Sequence, residues 1–295
     1  MLQLLSNKYD QYMTPVNIRK VERWTIMMAL GGFLLHLLLI FLLRNIPNML
    51  PGLAIVSPNY LKAIFTPFSF VLFFEVFMLV VILPRSISVF IGKQFEIMTL
   101  ITLRSFFHDI AEYDLTKTEI YSFQFLKETG MDIGGALVMF FLTLVFFFIL
   151  QKKPKSGTSS QDRTKFINLK KSLSVILSVV LLLLSLQSFV MWGINNLHAL
   201  QTGIESHDPN HVFYQDFFNI MIFVDVLLLI VSLIYSGTYE VIFRNACFII
   251  LTILIRIAIT APKPYNIVFA LGAMLLGVLT MMLFVLFVRL KKEDI

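Results

Sequence analysis

The residues equipped for chemistry lie inside apolar runs. In "SFVLFFEVFMLVV", residues 69 to 81, Glu75 is the one charge, and Asp225 holds the matching place in "IMIFVDVLLLIV". His36, Gln187, Arg104 and Arg256 complete a set of six polar residues within hydrophobic stretches. On insertion scales each charge costs about 2.5 to 3.5 kcal/mol at the centre of a membrane helix, so it must face the bundle interior or water. Two readings follow. As structure, Asp225 pairs with Arg256 and Glu75 with His36 or Arg104, each contact fixing helix register at about 0.6 to 2 kcal/mol. As function, the two acids form a cation or proton site, and His36 titrates beside them because its ordinary pKa is about 6.5.

A second cluster lies in "HALQTGIESHDPNHVF", where His198, His207 and His211 gather with Glu205 and Asp208, a donor set suited to Zn²⁺. Pro209 keeps a regular helix from placing His207 and His211 on one face. The plain alternative is that Asp208 caps the next helix and Pro209 begins it. The chain contains no Gly-rich phosphate loop, Gly-x-Ser-x-Gly elbow or His-Glu-x-x-His run, so an enzyme reading rests only on His36 and Glu75 as an acid–base pair. No cofactor is implied. Cys247 is the one cysteine, which excludes an internal disulfide and a cysteine metal cluster. Voltage sensing needs an Arg ladder, and neither "IGGALVMFFLTLVFFFIL" nor "IVFALGAMLLGVLTMMLFVLFV" contains a basic residue.

The elements that must position these residues are membrane helices. The 295 residues are 58% hydrophobic and 14% charged, with a mean hydropathy of +0.83, far from the usage of soluble domains. Apolar runs predict spans at Trp24 to Leu43, Ala63 to Leu83, Ile133 to Leu150, Leu173 to Ile194, Phe217 to Ser236, Val241 to Thr260 and Ile267 to Val288. "ISVFIGKQFEIMTLITLRSFFH", Ile87 to His108, either crosses as well or lies on the membrane surface, since it holds Lys93, Glu96 and Arg104. Charge decides for crossing. Gln151 to Lys171 has seven Lys/Arg against one acid and belongs in the cytoplasm, as does the N-terminal stretch with Lys8, Arg19, Lys20 and Arg23. An even number of crossings must separate the two. The outer loops then hold five basic residues: Arg44, Lys62, Lys117, Lys127 and Lys263.

The expectation is an all-α integral membrane protein with eight spans and both termini in the cytoplasm. Residues 1–23 form a cytoplasmic or interfacial segment, 24–150 a four-helix half, 151–171 a basic linker and 172–295 a second four-helix half. The halves look duplicated. "SPNYLKAIFTPFSFVLFFEVFMLVV" resembles "DPNHVFYQDFFNIMIFVDVLLLIV", and three polar landmarks keep their order: His36 with Gln187, Glu75 with Asp225, and Arg104 with Arg256. Parallel halves point to transport or permeation of an ion or small solute at their interface. The alternative is a non-transporting sensor, scaffold or subunit, with the acidic 109–132 segment as a docking site. The expected surroundings are the lipid bilayer of the cell membrane and other membrane proteins. The net charge of +6 follows the positive-inside rule rather than marking a nucleic-acid partner.

Overall fold

The computed structural model describes residues 2–45, 60–112, 123–152, 160–202 and 239–293, together with 220, 223, 224, 226–228, 230 and 231. Among them the elements are helical and no strand occurs. They are α1 (Leu2–Tyr12), α2 (Pro15–Asn45), a 3-10 turn (Tyr60–Ile64) leading into α3 (Phe65–Ile82), α4 (Ile87–Glu112), α5 (Phe123–Gln151), α6 (Ser160–Thr202), α7 (Tyr239–Thr260) and α8 (Tyr265–Glu293).

The boundaries have local causes. Thr14 caps α2, its hydroxyl accepting the Asn17 N–H at 3.3 Å, while Pro15 occupies the first helical position, where a missing N–H costs nothing. Pro84 cannot continue α3. The chain reverses over Leu83 to Ser86, and the Val89 and Phe90 N–H groups restart it as α4 by donating to the Ser86 carbonyl at 3.0 and 3.1 Å. A second short reversal, Ala261 to Pro264, separates α7 from α8. Connections this short force antiparallel neighbours. Buried hydroxyls in the apolar helices satisfy themselves: Thr102, Thr143 and Thr252 donate to the carbonyls of Met98, Met139 and Phe248 at 3.1, 2.8 and 2.9 Å.

Five segments are long and apolar enough to cross a membrane: Pro15–Leu42, Phe125–Gln151, Phe166–Gln187, Tyr239–Thr260 and Tyr265–Lys291. They make this a membrane protein. Leu34 and Phe41 of α2, Phe141 and Leu144 of α5, and Leu182 and Leu186 of α6 are all exposed, a surface that suits acyl chains. Eight spans were expected, and five meet this measure. The shortfall has physical reasons: the apolar part of α3, Thr66–Ile82, is short; α4 carries charge; and most of Phe217 to Ser236 lies outside the described residues.

Two apolar cores share α4. Phe90 and Ile97 of α4 join Leu72, Val76 and Leu79 of α3 with Leu177 and Leu181 of α6. Ile91, Phe95 and Met98 join Met139 and Phe146 of α5, Phe248 and Leu251 of α7, and Met274 and Met281 of α8. The segment whose charges suggested a surface helix is therefore packed between both cores. At the junction of α4, α7 and α8, a Cβ on Gly277 would stand 2.5 Å from Leu251 and 2.6 Å from Phe95, so any larger residue would have to displace those side chains. Gly135 likewise lies against Ile267, whereas its neighbour Gly134 faces open space.

Helix α1 closes the end of the bundle where α3 turns into α4. Its Ser6 hydroxyl donates to Asn168 Oδ1 at 3.1 Å, and Asp10 pairs with Lys171 at 2.6 Å. The Tyr9 hydroxyl donates to the Val81 carbonyl at 2.6 Å. Burial pushes the Tyr9 pKa up, with Arg85 opposing, so the hydroxyl stays protonated and able to donate.

Candidate functional site

Glu75 of α3 forms an ion pair with Lys93 of α4. Lys93 also donates to Glu96, one turn further along α4, at 2.7 Å. The Lys93 and Glu75 side chains are 13% and 18% exposed, and that of Glu96 is 39% exposed. The flanking Leu72, Val76 and Leu79 are buried, so one ammonium is held by two carboxylates beside an apolar core. With all three ionised the group has one excess negative charge.

The hairpin explains why these residues meet. Antiparallel helices joined by a tight reversal bring together positions equidistant from it, and Glu75 precedes Pro84 by nine residues just as Lys93 follows it by nine. At about 1.5 Å per residue the pair sits roughly 13 Å from the turn. That symmetry was legible in the sequence, but reading depth from the helix ends led to His36 or Arg104 as partners instead.

The structure places those two elsewhere. His36 Nδ1 lies 2.7 Å from Thr66 Oγ1, which ties α2 to the start of α3. Thr66 is nine residues before Glu75, roughly 13 Å along the helix. Next to it, a Cβ on Gly32 would stand 3.1 Å from Phe70, so α2 and α3 cross closely at this level. Arg104 lies eleven residues beyond Lys93, roughly 16 Å along α4, and is partly buried. Arg256 is buried on α7, whereas Gln187 is exposed on α6. Asp225, His207 and His211 lie outside the described residues, as does the side chain of His198. The proposed Asp225–Arg256 pair and the zinc trio therefore lie beyond what the structure describes.

A second ionic group joins three elements that sequence reading treated as separate loop charges. Lys263, between α7 and α8, pairs with Asp109 near the end of α4 and, at 2.6 Å, with Asp132 of α5. The Asp132 side chain is fully buried. Burial works against the Lys263 ammonium, but the hydrogen bonds and charges of Asp109 and Asp132 outweigh it and raise its pKa. This group staples the far end of the bundle with the same ratio of one cation to two acids. The two groups differ in exposure: Asp132 is fully buried, whereas Glu96 reaches the surface.

Comparison of the chain with protein-family models, with curated proteins and with solved structures found no match.

Proposed function

We propose that this is a multi-pass protein of the cell membrane that moves an ion or small solute through the polar site formed by Glu75, Lys93 and Glu96. One observation supports the reading above the others: a single ammonium is shared by two carboxylates within apolar helices. The excess acid gives an arriving proton or cation a place to bind, and Lys93 can release Glu75 while keeping Glu96. In this reading Asp225 and Arg256 form the equivalent polar set of a second, parallel half, and the pathway runs along the interface of the halves.

A second reading, a scaffold or subunit that transports nothing, is favoured by α2. Only 11% of its apolar window is buried within the chain, which leaves a long face for another membrane protein. Flux through purified, reconstituted protein separates the two. Wild type should move an ion across a pH series, and Glu75→Gln and Lys93→Met should abolish or flatten that flux. If no variant conducts while both mutants unfold more easily, the charges serve only to hold α3 against α4.

A further inference from the structure

From Val16 to Phe41 one face of α2 is exposed. Arg19, Lys20 and Arg23 are all exposed on it, and helical spacing sets them side by side within little more than one turn. Trp24, 67% exposed, stands next to them. Among the described residues none of the three cations has an ion-pair partner. Glu22 is the one acid of α2, so this turn carries two positive charges in excess, three cations against one acid.

Topology explains the number of these cations but not their side, because the positive-inside rule counts basic residues without regard to face. Burial does not choose the side either, since Val21 and Glu22, elsewhere on the same turn, are exposed too. The cations instead head a strip that continues, at spacings of three and four residues, through Met27, Leu30, Gly31 and Leu34. Met27, Leu30 and Leu34 are 66%, 59% and 56% exposed. A Cβ on Gly31 would meet nothing within 4 Å, so the strip has a shallow dent at its middle.

A charged turn followed by an apolar strip matches the two parts of a phospholipid. From Arg23 to Leu34 the helix rises roughly 16 Å, close to the depth of one leaflet of a hydrocarbon core about 30 Å thick. Trp24, directly after Arg23, is the residue type that settles at headgroup level. We propose that this face of α2 binds an anionic phospholipid, its headgroup phosphate held by Arg19, Lys20 and Arg23 and an acyl chain lying along Met27, Leu30, Gly31 and Leu34. Guanidinium forks and an ammonium are fitted to phosphate oxygens. The excess of positive charge selects a headgroup of net negative charge, because the choline of a zwitterionic lipid cancels its own phosphate.

The test uses Trp24 as its probe. The chain has two tryptophans, so Trp192→Phe leaves Trp24 alone. This parent chain is reconstituted at full length in phosphatidylcholine brominated in the upper acyl chain, which quenches a neighbouring indole. Unbrominated phosphatidylglycerol then replaces part of that lipid. Random mixing restores fluorescence in proportion to the fraction replaced, and a preferred site restores it sooner. Phosphatidylglycerol should be favoured over phosphatidylcholine by roughly 5-fold or more. Lys20→Gln with Arg23→Gln should bring the two lipids to parity. Lys152→Gln with Arg289→Gln removes the same charge elsewhere and should keep the preference; all four residues are exposed, so both variants should fold. Parity in the parent chain, an undiminished preference in Lys20→Gln with Arg23→Gln, or an equal loss in Lys152→Gln with Arg289→Gln overturns the proposal. So does a Trp24 that brominated phosphatidylcholine fails to quench, which would give this face to protein rather than lipid.

Discussion

Replacing Lys93 by methionine keeps the length and apolar stem of the side chain and removes only the charge. Glu75, 18% exposed and paired among the described residues with Lys93 alone, is then left beside Glu96 without a cation. Breaking a buried ion pair at one partner costs about 3 to 5 kcal/mol. The stranded carboxyl can limit that cost by taking up a proton. For a carboxylate of ordinary pKa near 4.3, protonation costs about 3.7 kcal/mol at pH 7 and about 1 kcal/mol at pH 5. Glu96, 39% exposed, can turn outward and avoids most of this. In the variant the folded state thus binds a proton that the unfolded state does not, so its stability must rise as pH falls. The expected loss is about 3.5 kcal/mol at pH 7, shrinking to about 1 kcal/mol at pH 5. Unfolding in mixed micelles with increasing dodecyl sulfate, followed by circular dichroism, measures both. The double variant Glu75→Gln with Lys93→Met should recover to within about 1 kcal/mol of wild type, since neither partner is left charged. A Lys93→Met protein as stable as wild type at pH 7, or a loss unchanged between pH 7 and 5, would refute this account of the pair.

The other expectations concern packing, the second ionic group and orientation. Gly277→Ala, whose Cβ would stand 2.5 Å from Leu251, should cost about 1 to 3 kcal/mol in the same assay; Gly272→Ala, facing open space, should cost nothing, and equal effects would show that the α4, α7 and α8 junction is not tight. Because the folded pKa of Lys263 is raised, its contribution to stability is complete below the ordinary lysine value near 10.4 and is lost as pH climbs through the folded one. Lys263→Met should therefore be less stable at neutral pH and lack the decline expected of wild type as pH rises above the ordinary lysine value. For the eight-span arrangement, a cysteine in place of Lys117 in a Cys247→Ser background should react with an impermeant reagent added outside, and labelling only from the cytoplasmic side would exclude that topology.

Apolar runs reveal where helices are but not how far they extend. The runs beginning at Trp24 and Ile133 became helices beginning at Pro15 and Phe123, because backbone hydrogen bonding continues into polar flanks that hydropathy does not count. The position of α4 was harder to read, since its charges suit a membrane surface as well as an interior. Pairing resolves this: Lys93 is matched by Glu75 and Glu96, and Asp109 by Lys263, so composition overstates how polar the packed helix is. Glu75 was legible as a buried charge, and its true partner lay within reach of hairpin symmetry. The Lys263 group was not legible, because its partners are 131 and 154 residues away and no local pattern joins them. Lys170 was counted toward orientation as part of the basic 151–171 segment, a use that passes over whether its side chain is in water or buried.

The seat of α1 has a consequence for biosynthesis. Ser6 is bonded to Asn168, 162 residues later, and Asp10 to Lys171. At synthesis rates of about 5 to 20 residues per second, roughly 8 to 32 s pass between the emergence of the two sides of this contact. Until Asn168 emerges, α1 can hold the bundle only through Tyr9 and Val81, so its full seat waits for the start of α6. Its closure over the α3–α4 turn then marks a chain whose α6 has arrived, which makes α1 a late latch on the assembled bundle.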